Sequence, residues 1–263
     1  MGRRSSRVPA RSRSSVWKRS TAYAADTLPS WNDGNAKAAI VDFVGHATTQ
    51  DNPRDVSSAK RIGVFDNDGT LWSEQPMYFQ LLFAMDRVKA LAPQHPEWKT
   101  KEPFASLLKG DVKEVLAGGE HAIAEIVVAT HSGMTTAEFD QIVRTWLATA
   151  KHPQSQRPYA EMVYQAMLEV LACLRANGFK TFIGSGGGVD FMRVFCKQVY
   201  GIPPDRVVGH TGKVSFELRN GKPALVKLLA IQCANDKAEK VAAIQQFIGR
   251  RPVMAFGNSD GDL

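Results

Sequence analysis

Three short apolar runs, each broken off by a polar loop, constrain this chain more than any other feature. Ile62-Gly63-Val64-Phe65 runs into Asp66-Asn67-Asp68-Gly69-Thr70. Lys180-Thr181-Phe182-Ile183 runs into Gly184-Ser185-Gly186-Gly187-Gly188. Pro252-Val253-Met254-Ala255-Phe256 runs into Gly257-Asn258-Ser259-Asp260-Gly261-Asp262. Runs this short, bounded by turn residues, read as buried strands. Helical patterns separate them, and strands alternating with helices indicate a parallel α/β sheet. In an open sheet of that kind ligands bind beyond the carboxyl ends of the strands, so the three polar loops are expected to converge.

The rest of the pattern is helical or weakly extended. The folded body is expected to begin near Leu28-Pro29-Ser30-Trp31, with a first helix over 35–45 and a polar connection over 48–60. Residues 76–177 read as helical. Tyr78, Leu81, Leu82, Met85 and Val88 recur at helical spacing, and so do Phe139, Ile142, Val143, Trp146 and Leu147. Thr135 and Glu138 precede the second stripe with capping-box spacing. A third stripe, Val163, Met167, Val170, Leu171 and Leu174, stops at Asn177-Gly178. A helix is expected after the glycine loop through Tyr200, weaker strands over 206–209 and 213–218, and a helix over 237–248. No internal repeat is visible.

Charge locates itself in one place. The net charge is +7, yet residues 1–20 carry seven bases and no acid, which leaves 26 bases against 26 acids in the rest. The excess therefore belongs to the tail and is no sign of a basic binding face, so no nucleic-acid partner is expected. The Arg- and Ser-rich tail, residues 1–27, reads as disordered. It lacks the apolar segment of a secretory signal, although Ala22-Tyr23-Ala24 resembles a cleavage box. Its composition also suits a transit peptide, and Met1-Gly2 to Ser6 matches a myristoylation pattern. Cytoplasm is the default compartment. No apolar run nears the ~18 residues of a membrane span. Cys173, Cys196 and Cys233 are widely spaced, with no CxxC, which argues against a disulfide framework or zinc site.

Loops rich in carboxylates repel one another unless a cation lies among them. Oxygen donors without His or Cys suit a hard ion, Mg²⁺ above all. That suggests phosphoryl transfer, with one carboxylate as nucleophile and a second, two residues on, as general acid and base. Ser185 and the N–H groups of Gly186 and Gly187, at a helix N-terminus, suit phosphate oxygens. A lysine is expected to offset the developing charge.

DxDGT after an apolar strand, a serine closing a second strand, a lysine, and GNSDGD after a third strand resemble the haloacid dehalogenase superfamily of phosphohydrolases. The SGGG segment resembles its phosphoserine-phosphatase-like branch. The likeness runs from Trp31 to Leu263. It implies a Rossmann-like parallel sheet core, residues 28–72 and 178–263, with an inserted helical cap, residues 73–177. It also implies Mg²⁺ as cofactor and a small phosphorylated metabolite as substrate, turned over through an aspartyl-phosphate. Asp66 takes the place of the nucleophile and a metal ligand. Asp68 takes that of the acid/base, with its carbonyl on the metal. Thr70 supports the loop, Ser185 binds the phosphoryl group, and Lys240 is the motif lysine, with Lys237 the alternative. Asn258 stands where many relatives carry a metal-binding aspartate, Asp262 matches the second acid, and Asp260 is a substitute for the missing carboxylate. Glu74 corresponds to a region where relatives bind the substrate amine.

Relatives of this kind continue past the last motif through a helix and a further strand. The C-terminal part of the core is therefore expected to be missing after Leu263. This leaves a catalytically inactive fragment with at most a binding role as the alternative to an active phosphatase, and tail-driven binding to nucleic acid or acidic membrane as a third reading. The sequence does not specify oligomeric state.

Overall fold

The computed structural model describes residues 26–262 of the chain. The expectations for residues 1–25 lie outside them. Helix α1 (Asn35–Thr48) precedes the central strand β1 (Ile62–Phe65). Then follow α2 (Phe79–Leu91), α3 (Phe104–Lys109), α4 (Val112–Ala117), α5 (Gly119–His131), α6 (Thr136–Thr149) and α7 (Gln165–Ala176). Strand β2 (Lys180–Gly188), α8 (Val189–Arg193), α9 (Cys196–Tyr200), β3 (Val207–Arg219), β4 (Lys222–Cys233), α10 (Lys237–Ile248) and β5 (Met254–Phe256) complete the order.

The five strands form one sheet in the order β4-β3-β2-β1-β5. β1 lies between β2 and β5, parallel to both, with Val64 opposite Phe182 and Ala255. All four of its residues are buried, as expected for a strand flanked on both edges and covered on both faces. The carboxyl ends of β1, β2 and β5 therefore point the same way, which brings Asp66, Ser185 and Asn258 to one end of the sheet. No helix among the described residues is long and apolar enough to cross a membrane.

Local chemistry explains the helix limits. Thr135 Oγ1 accepts from Glu138 N at 3.1 Å while Glu138 Oε2 accepts from Thr135 N at 2.6 Å, so the anticipated capping box opens α6. α7 stops at Asn177, and Gly178 takes the positive φ of 77° that the reversal needs. An aromatic group joins the helical insertion to the sheet. Trp72 stacks on Phe195 at 4.4 Å and meets Phe79 edge-on at 4.8 Å, while Phe83 of α2 lies 5.4 Å from Phe191 of α8. A second apolar cluster, including Leu81, Val88, Trp98, Phe104 and Ile126, is internal to the insertion.

Several expectations need correction. Tyr78 is 55% exposed and not part of a buried stripe, because the chain is extended there and α2 starts only at Phe79. Val163 lies ahead of α7, in a bridge with Trp72. The region 151–164, which falls inside the segment read as helical, is mostly irregular. The two weak strands over 206–209 and 213–218 are one strand of 13 residues, and it pairs antiparallel with β4, which the pattern did not reveal. Asn220 and Gly221, with φ of 52° and 73°, form the tight turn between them. This hairpin exposes Val214, Phe216, Leu218 and Leu225.

Gly209 of β3 packs where a side chain has no room. An added Cβ would stand 2.6 Å from the Gly187 carbonyl oxygen and 2.6 Å from Met192 Cε. Gly209→Ala is expected to destabilise the fold by about 1–3 kcal/mol, read as a lower urea midpoint at unchanged slope. A midpoint equal to that of the parent would refute this close packing.

Candidate active site

Asp66 is the first residue beyond β1 and continues its ladder, donating its N–H to Phe256 O at 2.9 Å. The chain then turns tightly: Asn67 O accepts from the N–H groups of Thr70, Leu71 and Trp72. Asn67 is itself buried and its Oδ1 accepts from Tyr200 OH at 3.0 Å, which ties the turn to α9. Gly69 has φ 77°, and a Cβ there would fall 2.1 Å from Asn258 Nδ2 and 2.9 Å from the Glu74 carboxyl carbon. Only glycine serves at that position.

Lys240, in the first turn of α10, carries the central contacts. Its Nζ donates to Asp66 Oδ1 at 3.3 Å and to Asp262 Oδ1 at 2.5 Å, with all three side chains largely buried. Lys237 is exposed and has no such contact. Asp262 Oδ2 accepts from the N–H groups of Asn258 and Ser259 and from Ser259 Oγ, so the last loop folds back around its own carboxylate. Ser185 is 1% exposed, and its hydroxyl lies beside Asp66. Asn235, fully buried, donates from Nδ2 to Ser185 O at 2.6 Å and so links the serine to the residues that open α10.

Asn258 is at the rim: Thr70 Oγ1 donates to its Oδ1 at 3.3 Å, and its Nδ2 donates to Glu74 Oε1 at 3.3 Å. Glu74 is thereby held at the mouth of the site. Asp260 is exposed and not drawn into the cluster. The glycine loop differs from expectation. Strand β2 extends through Gly188, and α8 starts at Val189 with only five residues. Gly186 and Gly187 are thus part of the strand and not the first turn of a helix, and Gly187 N donates to Ser185 Oγ at 3.2 Å. The pairing with β3 is irregular here: Gly184 faces Val208 and Gly188 faces His210, with a register shift between them, so Ser185, Gly186 and Gly187 lie on a bulge of the strand.

The electrostatics follow from burial. Burial pushes the Asp66 carboxyl above the usual carboxylate range, Lys240 pulls it back and Asp262 adds to the rise. Burial also pushes Asp68 up to about 6, against the hydrogen bond of 2.7 Å that Trp72 Nε1 donates to its Oδ1. For Lys240 burial works downward, yet its bonds to Asp262 and Asp66 hold it above the usual lysine value. For Asp262 burial works upward, and Lys240 keeps it below its ordinary value. Lys240 pairs with Asp66 and Asp262, while Asp68 is bonded to Trp72 and Glu74 to Asn258, so the four acids exceed the one ammonium, an excess of negative charge that suits an added cation. The donors at hand, carboxylates and the Asn258 amide oxygen, are all oxygen and fit a hard divalent ion. Among the described residues, no three His, Cys, Asp and Glu side chains are arranged as a preformed metal cage.

Gln80, Asn67, Asn235 and Tyr200 take part in this architecture without having been singled out from the sequence. Gln80 Oε1 accepts from Gly188 N at 2.6 Å across the junction of insertion and sheet. Lone amide side chains carry no spacing signal, and only the fold shows which of them meet the loops.

Fold and site together define an α/β protein with a mostly parallel sheet and a buried carboxylate–lysine centre at the carboxyl ends of its parallel strands. A family model for haloacid dehalogenase-like hydrolases matches residues 64–263, and the chain belongs to that family. No curated protein matches it in sequence. Among solved structures, it shares its fold with a conserved functionally unknown protein of Anaerococcus prevotii, with a TM-score of 0.57 and 15% identity over 86% of this chain and 81% of that one. A protein of Bordetella pertussis, likewise of unknown function, has a TM-score of 0.48 at 14% identity, over 72% and 74% of the two chains. A phosphoserine phosphohydrolase-like protein of Francisella tularensis has 0.43 at 16%, over 77% and 80%.

The raised Asp68 has a measurable consequence. Its carboxyl binds a proton more tightly in the fold than in the unfolded chain, so the stability this confers is complete below the ordinary carboxylate range and is lost as pH rises through about 6. Asp68→Asn has no such titration. In EDTA its melting temperature is expected to gain on the parent between about pH 4 and pH 7, by the equivalent of roughly 1–3 kcal/mol. A difference that stays constant over that range would show that Asp68 titrates normally.

Proposed function

We propose that this hydrolase is a Mg²⁺-dependent phosphomonoesterase that works through an aspartyl-phosphate on Asp66. One observation carries the reading. A buried carboxylate at the end of the central strand is paired with a buried lysine, beside a serine hydroxyl and two residues from an aspartate whose carboxyl is pushed up to about 6. Family membership supports the hydrolytic class. In this reading, residues 28–72 and 178–263 form the catalytic core, and residues 73–177 the cap.

The roles follow from position. Lys240 holds one oxygen of Asp66, which orients the other for attack on phosphorus. As the O–P bond to Asp66 forms, the ester P–O bond breaks, and the leaving oxygen takes the proton of Asp68. A carboxyl with pKa of about 6 retains part of its proton near neutrality and can give it up at the moment of need. In the second half, Asp68 takes a proton from water, whose oxygen attacks the same phosphorus and returns Asp66 and inorganic phosphate. The Ser185 hydroxyl, with the backbone of Gly186 and Gly187 close by, binds phosphoryl oxygens, and Lys240 offsets their charge. Thr70 braces the Asn258 amide opposite the nucleophile loop.

Asp66, the Asp68 carbonyl, Asn258 and Asp262 would hold Mg²⁺. When bound, that ion would offset the joint charge of phosphate and carboxylates. Glu74, next to Asn258 at the mouth, is placed to meet the organic part of a small substrate, and an amine such as that of a phosphoserine-like ester would suit its charge.

Phosphate release from an aryl phosphate, measured with Mg²⁺ or EDTA, tests the reading. Turnover is expected with Mg²⁺ alone, and Asp66→Asn is expected to lower it by at least about 10³-fold. Folded protein that is inactive with Mg²⁺, or Asp66→Asn with parental activity, would overturn it.

A further inference from the structure

A second cleft opens beside the glycine strand, between α5 and α6 of the insertion, α8, and the β3–β4 hairpin. It encloses about 90 Å³. Three of the side chains lining it carry a buried polar atom with no hydrogen-bond partner: His131 Nε2, His210 Nδ1 and Thr211 Oγ1. Buried polar atoms are nearly always paired, so three orphans around one space mark a place that something polar fills.

The donor and acceptor pattern describes the occupant. Thr130 Oγ1 has one proton for Ile126 O and His131 Nδ1, both at 2.8 Å. With that proton on Ile126 O, His131 carries its own on Nδ1 and offers a lone pair at Nε2. Burial, with Lys227 and Arg87 facing it, drives its pKa down to about 3, and the ring stays neutral. The occupant must then donate to Nε2. Thr211 can give or receive, and His210 Nδ1 awaits a partner of its own. Among the residues that line the cleft, which do not include Arg87, charge is balanced: the buried Lys227 ammonium is paired with Asp190 and lies 4.7 Å over the Phe139 ring. An anion would meet Asp190, and a cation would meet Lys227. Phe139 and Phe191 supply apolar walls for C–H groups. The space is smaller than the ~150 Å³ that admits the six-atom ring of benzene, so it takes about three or four non-hydrogen atoms, and the remainder of a larger occupant lies in the open mouth of the cleft.

We propose that this cleft is a binding site for a small neutral polyol, held by hydroxyl hydrogen bonds to His131, His210 and Thr211. The site is separate from the carboxylate–lysine centre and does not depend on the phosphatase reading. It shares one wall with the glycine strand, because Gln80 and Gly188 border it and Gln80 Oε1 holds Gly188 N.

Glycerol is the probe, titrated into the full chain and followed by ligand-observed NMR, with propan-1-ol as the matched chain lacking two hydroxyls. Saturable glycerol binding in the millimolar range is expected, stronger than that of propan-1-ol. His131→Phe keeps the ring packed against Phe83 and Phe139 and removes the acceptor, and Thr211→Val removes the hydroxyl at constant shape. Each is expected to weaken glycerol by about ten-fold, while Asp66→Asn binds it like the parent. Thermal unfolding verifies that the variants are folded, and Thr211→Val decides if His131→Phe is not. Absence of saturation, equal affinity for propan-1-ol, or parental affinity in the folded variants would mean that the cleft holds water only, and would overturn the proposal.

Discussion

The Lys240 ammonium, shared between Asp66 and Asp262, is the interaction on which the arrangement of this molecule turns. Two buried carboxylates cannot stand close together in a low-dielectric interior without a cation between them. Lys240 meets that need, and in doing so joins the end of β1, the start of α10 and the loop after β5. Neighbouring polar groups fall into place around this pair. Ser185 comes alongside Asp66 because β2 is registered to β1, and Asn235 pins the Ser185 carbonyl. Remove the charge on Lys240 and the carboxylates at two loop ends lose their common partner. The cost would be much larger than for a surface ion pair, since it would leave charge buried and unpaired.

The second organising device is the absence of side chains. Gly69 leaves room for Asn258 and Glu74, Gly184 abuts Val64, and Gly209 lets the Gly187 carbonyl approach β3. Each is a place where the backbone must come closer to a neighbour than a Cβ permits. Together they let polar loops from three strands close on one point while the aromatic cluster around Trp72 packs behind them. Trp72 serves both sides, with its ring in the core and its N–H on Asp68.

Much of this was legible in the sequence because the relevant signals are local. Apolar runs into Asp-Asn-Asp-Gly and Gly-Asn-Ser-Asp marked β1 and β5 with their loops, Thr135 and Glu138 marked the start of α6, and the run over 237–248 placed Lys240 on a helix. Strand β4 was missed although Asn220-Gly221 is a strong hairpin signal. Pro223 argues against a strand, and Ala224 to Ile231 does not alternate. β4 tolerates the proline because it is an edge strand. The extension of β2 through Gly188 was hidden for the opposite reason, since a glycine run has no propensity of its own and only pairing with β3 makes it a strand. Gln80 and Asn235 were beyond reach: their partners lie 108 and 50 residues away.

Those separations bear on how the molecule acquires its shape. Lys240 and Asp66 are 174 positions apart, and Thr70 and Asn258 are 188 apart. The insertion, in contrast, has an apolar cluster spanning only Leu81 to Ile126. Contacts close in sequence form before distant ones, because closing a long loop requires more chain entropy to be given up first. A nascent chain can therefore collapse its helical insertion while β1 still lacks one flank. Until β5 is synthesised and docked, the central strand has an open edge and Asp66 lacks both the N–H acceptor on Phe256 and the neighbour Asp262. The complete carboxylate–lysine centre therefore requires the loop after β5 to have docked, and until then the edge of β1 that β5 covers stays open.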